Sequence, residues 1–155
     1  MNGTEKVVKH LEMIQAVIKR LAVNSFLVKG ASLLLVITSQ VLFVSMVLLS
    51  FQKDTYVPQE KPFVFTVAAV LVFFILGFWI LDGFFLWLER LFRYHYDAVR
   101  QQEDTDFNMN VGIHNNKSFS NWGSAIFSAT LVIFYTIEII FILFLPAVLL
   151  FSEYW

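Results

Sequence analysis

Long apolar runs alternate with amphipathic and polar stretches along this chain, and the runs set its architecture. Three of them, residues 31–49, 63–81 and 126–151, reach the length needed to cross a bilayer, roughly 20 residues at 1.5 Å each. Lys29-Gly30 opens the first. Pro62 stands in the first turn of the second, where a missing N–H costs little. Trp122 precedes the third and Tyr154-Trp155 follow it as interfacial aromatics. Pro146, late in that run, is a position for a bend.

The polar stretches are patterned too. Val7, Leu11, Ile14, Ile18 and Leu21 form one stripe at helical spacing, with Val17 beside it and Lys9, Glu12, Lys19 and Arg20 opposite. This predicts an amphipathic helix within 1–28. After the second span, Phe84, Phe85, Leu88, Leu91, Phe92 and His95 share a face, and Glu89, Arg93, Asp97 and Arg100 share another. Helix two is therefore expected to continue out of the membrane. Gln101 to Asp106 is too polar to bury, and the alternation of Phe107 to Val111 permits a short strand. A polar loop, Asn115 to Asn121, leads into span three. The fold expected is an all-α membrane protein of one domain over 1–155: three transmembrane helices, an amphipathic cytoplasmic N-terminal helix, and a cytoplasmic extension of the second span with its loop over 84–121.

Composition fits this reading. The 155 residues are 58% hydrophobic and 15% charged, with 18 phenylalanines and a mean hydropathy of +0.69. A soluble domain carries about 25% charged residues, so much of this surface has to face lipid. The net charge of -1 argues against bulk capture of nucleic acid and leaves room for a local basic patch. Cysteine is absent, which excludes disulfides, thiolate metal sites and a Cys nucleophile. His10, His95 and His114 have no metal-ligand spacing. The charged, helix-patterned segment before the first run is unlike a secretory signal, so that run is expected to remain as an anchor.

Basic residues orient the spans. Lys6, Lys9, Lys19, Arg20 and Lys29 precede the first, and Arg90, Arg93, Arg100 and Lys117 lie between the second and third; Lys53 and Lys61 alone occupy the short loop. That asymmetry places the N-terminus and the long connection in the cytoplasm and the C-terminus outside, in the periplasm if the membrane is a bacterial inner membrane.

Glu138 is the one charged side chain in the third run. Ser124, Ser128, Tyr135 and Glu138, with Leu131 between, fall on one face of a helix. Two readings stand. In one, Ser128, Tyr135 and Glu138 line an aqueous path, with carboxylates ringed near mid-membrane. In the other, small hydroxyls allow close helix packing and Glu138 is neutral or bonded to Gln40 or Thr38. Three helices about 10 Å across leave no lumen between them, so a pore requires several copies of the chain. Asp82, at the inner end of span two, reads as an interfacial carboxylate or as a contact fixing that span against span one.

Arg90, Arg93, Tyr94, His95, Tyr96 and Arg100, with Lys19 and Arg20, mix cations and aromatic rings in a way that can hold phosphates and stack bases. The spacing of Glu89, Arg93 and Asp97 equally describes a salt-bridge ladder on a solvated face. No enzyme is expected, and no catalytic residue, metal ligand or cofactor: there is no phosphate-cradling Gly-rich loop, no paired-His metal motif and no nucleophile with a supporting base.

Two long segments and one short one carry a resemblance. Leu11 to Gly30 (LEMIQAVIKRLAVNSFLVKG), Phe78 to Asp97 (FWILDGFFLWLERLFRYHYD) and Asp106-Phe-Asn-Met109 resemble a family of small bacterial multi-span membrane proteins of anti-phage defence systems, the family of the Hailong system's membrane channel subunit. The resemblance covers most of the chain before span three, where no motif matches and Glu138 carries nothing over. It implies an oligomeric ion-channel effector gated from the cytoplasm. Short single-stranded DNA oligomers, made by a partner nucleotidyltransferase, would hold it closed, with Lys19, Arg20, Arg90, Arg93, Tyr94 and Arg100 as the cytoplasmic ligand set. The alternatives are a non-conducting membrane anchor that recruits a cytoplasmic partner, and a component of a proton-coupled carrier, a class that commonly uses repeated helical units.

Overall fold

The computed structural model describes residues 2–52, 61–114 and 121–152. Lys53, Lys117, Tyr154, Trp155 and the loop before Asn121 lie outside them. Among the described residues the chain is helical, without a strand: α1 Gly3–Gln52, α2 Lys61–Val99, a 3-10 turn Val111–His114, a short α3 Trp122–Ile126 and α4 Ala129–Ser152. α1, α2 and α4 are each long and apolar enough to span a membrane.

The amphipathic segment and the first span are one helix. α1 runs for 50 residues, about 75 Å, well beyond the ~30 Å hydrocarbon thickness, so a large part of it stands outside the membrane. Gly30 does not break it; the position has open space around it, and an isolated helical glycine costs only ~1 kcal/mol. Asn2 and Glu5 start the helix as a reciprocal pair: the Asn2 side chain accepts from the Glu5 N–H at 3.0 Å, and Glu5 accepts from the Asn2 N–H at 3.1 Å. α2 likewise continues from the second span through the expected extension, over 39 residues.

α1 and α2 are antiparallel: His10 meets His95, and one end of the apolar part of α1 meets Asp82. α4 packs against both. In the three-helix part, Val36, Ala68, Ile75, Leu131, Tyr135 and Ile142 form the core, while Leu34, Phe73, Ile137 and Phe144 point outward as a lipid-facing surface requires. In the two-helix part, Val7, Ile14 and Val99 are buried, flanked by Leu11, Ile18, Phe92 and Tyr96. The stripe expected on α1 thus packs on α2.

The alternating stretch 107–111 is not a strand. Its polar side chains cap backbone N–H groups two residues on: Asp106 accepts from Asn108 at 3.0 Å, Asn108 from Asn110 at 2.9 Å, and Asn110 from Gly112 at 2.9 Å. These Asx turns supply locally the bonds that a strand would need from a neighbour. Phe107 adopts a left-handed φ of 59°. The resulting strap lies across the free end of the helix pair, and Gly3 lets it approach, since a Cβ there would lie 2.6 Å from the Glu103 carbonyl oxygen.

The third span starts later than its hydrophobicity implies. α3 stops at Ile126 with Phe127 as its cap, and α4 begins at Ala129. Ser124 sits on α3 and Ser128 in the break, so they do not continue the helical face that Leu131, Tyr135 and Glu138 share. Gly83 explains the close approach of α3: it is buried, and a Cβ there would come within 2.6 Å of the Ile126 side chain and 3.1 Å of its Cα. The Trp79 indole N–H donates to the Ile126 carbonyl at 2.9 Å, taking up a helix-end acceptor. α4 runs on through Pro146.

Candidate functional site: a buried polar seam between the spans

Three side chains from α1 and α4 meet around Asp82 of α2. Its carboxylate is fully buried and accepts from Ser25 Oγ on α1 at 2.5 Å and from the Tyr135 hydroxyl on α4 at 3.1 Å. Lys29 Nζ pairs with it at 2.5 Å and reaches Ser25 Oγ at 2.8 Å. The i,i+4 spacing of Ser25 and Lys29 puts both on one face of α1. Trp79 stacks on Tyr135, with ring centroids 5.9 Å apart. Asp82 therefore ties all three spans together, and it makes the contact that fixes span two against span one.

The seam continues along α1. Ser32 Oγ lies 2.9 Å from the Lys29 carbonyl oxygen and 3.1 Å from Glu138 Oε1. Glu138 is 3% exposed and its Oε2 has no hydrogen-bond partner. Gln40, further along α1, is 9% exposed and leaves its Oε1 unpartnered. The sequence offered Gln40 or Thr38 as the partner of Glu138; Ser32 takes that place, and Thr38 is exposed.

Of the three residues expected on a pore wall, Tyr135 and Glu138 point inward, toward α1 and α2 of the same chain. Ser128 is half-buried, in the break before α4, with its hydroxyl unpartnered. Lys29 and Ser25 went unrecognised in the sequence. The usable signal was an i,i+4 Ser–Lys pair at the mouth of span one, together with a lone Asp at the matching end of span two.

The expected cationic set lies on α1, on α2 and just beyond the end of α2. Lys19 and Arg20 are exposed on α1. Arg93 binds Glu89 at 2.6 Å, the first rung of the expected ladder. Arg90 donates to the Ser124 carbonyl at 3.3 Å. Arg100 is exposed just after α2, and Tyr94 is half-buried.

A second polar group holds the strap. His10 and His95 are buried, their rings edge to face with centroids 5.6 Å apart. His10 Nδ1 bonds Thr105 Oγ1 at 2.7 Å, and His95 Nε2 donates to the Asn108 carbonyl at 2.7 Å. Burial, and then the neighbouring His95, hold His10 below the ordinary histidine value. No family model, curated protein or solved structure matches the chain.

Proposed function

We propose that this protein is the subunit of a homo-oligomeric ion channel, gated from its helical layer outside the membrane, and that the packed three-helix bundle is its closed form. The polar seam carries this reading. An ion pair, three hydroxyls and a carboxyl line one seam of the bundle, and an ionisable group within a span, as Glu138 is, marks an ion or proton path. Three packed helices leave no lumen between them, so conduction requires copies of the chain to meet and α1 to shift against α4. α1 suits that role as a lever: the helix that bears Ser25, Lys29 and Ser32 also bears His10, which holds the strap at its far end.

On the family resemblance, the channel is an effector of bacterial antiviral defence in the inner membrane, with its N-terminus cytoplasmic. Short DNA oligomers bound at Lys19, Arg20, Arg90, Arg93, Tyr94 and Arg100 would keep it shut. The test is ion flux from liposomes containing the purified protein. Flux is expected to be low in the wild type and several-fold higher in Asp82→Leu, which removes the carboxylate that joins Ser25 and Lys29 of α1 to Tyr135 of α4. Absence of flux from both would overturn the channel reading.

The inward orientation of Tyr135 and Glu138 favours a second reading, a non-conducting anchor whose polar groups serve only to glue the spans. Expression without neighbouring genes separates the two. A ligand-silenced channel is toxic alone, and an anchor is harmless.

A further inference from the structure

Hydrogen counting at Ser32 is informative about Glu138. A serine hydroxyl has one hydrogen, yet Ser32 Oγ contacts the Lys29 carbonyl at 2.9 Å and Glu138 Oε1 at 3.1 Å, and the Tyr135 hydroxyl, which donates to Asp82, also faces it. The carbonyl can only accept. If the Ser32 hydrogen goes to it, in the usual back-bond of a helical serine, the contact with Glu138 needs a hydrogen from Glu138 itself.

Charge gives the same answer. Among the described residues, the charged or titratable groups facing this site are Lys29 on α1, Asp82 on α2 and Tyr135 on α4, with no titratable residue on α3. Lys29 is engaged by Asp82 and Ser25, and Tyr135 by Asp82. An ionised Glu138 would then be a buried carboxylate with at most one hydroxyl bond, an unpartnered Oε2 and no cation. Such a charge costs several kcal/mol, against roughly 1–3 kcal/mol for a neutral carboxyl with one oxygen unpaired. The neutral form wins.

We propose that Glu138 is a proton-binding site: its carboxyl carries a proton, donated through Oε1 to Ser32, and that proton acts as a ligand of the closed bundle. When α1 moves off α4, water reaches the carboxyl, the O–H bond breaks, the proton passes to water and a carboxylate remains. Closure reverses the step. Because the closed form binds the proton more tightly, acid favours closure by linkage. The site stands on the geometry alone; only its effect on conduction rests on the channel reading.

The test is infrared spectroscopy of the protein in lipid nanodiscs at neutral pH. A protonated-carboxyl C=O stretching band is expected, lost in Glu138→Gln and shifted to higher frequency in Ser32→Ala. Should Glu138→Gln fail to fold, carboxyl-13C glutamate in the wild type identifies the band by its isotope shift. A wild type without the band, or with one insensitive to labelled glutamate, overturns the proposal. Flux is the second readout. It is expected to rise at least several-fold with alkalinity in the wild type and to stay low and pH-independent in Glu138→Gln. A band without flux retains the proton site and sinks the channel; flux without the band does the reverse.

Discussion

Buried polar groups occur at two levels of this molecule and are satisfied in opposite ways. Between the spans, Asp82 draws its partners from other helices, Ser25 and Lys29 on α1 and Tyr135 on α4. Each bond there joins residues far apart in the chain. At the free end of the helix pair, the strap over 105–112 bonds mostly to itself, each Asp or Asn capping the backbone two residues on. It touches the helices through few polar groups, Thr105 with His10 and the Asn108 carbonyl with His95, and the residue just before it, Asp104, accepts from Lys6. Water explains the contrast. A polar strap at a wet surface settles its backbone locally and forgoes little. A carboxylate among apolar helices has no water to turn to, so a neighbouring helix has to supply the partner.

The difference predicts unequal fragility. Asp82→Leu leaves Lys29 without its partner and is expected to cost up to about 3 kcal/mol, the low end of the range for breaking a buried pair, because the Lys29 side chain is 27% exposed. Adding Lys29→Met is expected to recover most of that, because a pair replaced by apolar residues loses little. Unfolding in detergent micelles measures both. A double variant as unstable as the single would show that the pair contributes net stability, and the contrast with the strap would weaken.

Next in size is Gly83→Ala. The new Cβ would meet Ile126 at 2.6 Å at its side chain and 3.1 Å at its Cα. A loss of about 1–3 kcal/mol is expected from overpacking. Ile126→Ala is expected to restore only part of it, since the crowding against the residue 126 backbone remains. The same unfolding assay reads this pair of variants.

The strap is expected to respond to pH. His10 in the folded chain binds a proton less readily than the ordinary value of 6.5, through burial and then the charge of His95, opposed by the Asn108 backbone bond and Asp106. The unfolded or undocked form therefore takes up the proton first. Docking is intact above pH 6.5 and weakens as pH falls below it. Amide hydrogen exchange at Phe107 and Asn108, corrected for intrinsic rate, is expected to accelerate in acid, and His10→Phe to flatten that dependence. Equal acceleration in the variant would remove His10 from the explanation. The smallest effect is expected from Arg93→Ala on the exposed i,i+4 pair with Glu89, under about 0.5 kcal/mol.

Several features of the fold were legible because they follow from local rules. Span two and the core stripe of α1 follow from apolar runs and helical spacing, which depend only on near neighbours in sequence. The merger of the N-terminal helix with span one was not, because Gly30 looks like punctuation, although one isolated glycine costs a helix only ~1 kcal/mol and α1 runs through it. The expected strand failed for a related reason: alternation describes side-chain faces, but the asparagines and aspartates had their own backbone partners. The late start of span three depended on Gly83 and Trp79, two α2 residues with no mark in the sequence of 122–129.

By itself the sequence determined that three segments belong in a membrane and that Glu138 and Asp82 are expensive there. Hydrophobic transfer is set by composition and length, so no partner has to be known. Only the tertiary structure decided how that expense is met: Asp82 by Lys29, Ser25 and Tyr135, and Glu138 by a single hydroxyl, Ser32. Those choices rest on which helix faces touch, and desolvation makes each one matter, because inside the bundle a polar atom has its assigned neighbour or none.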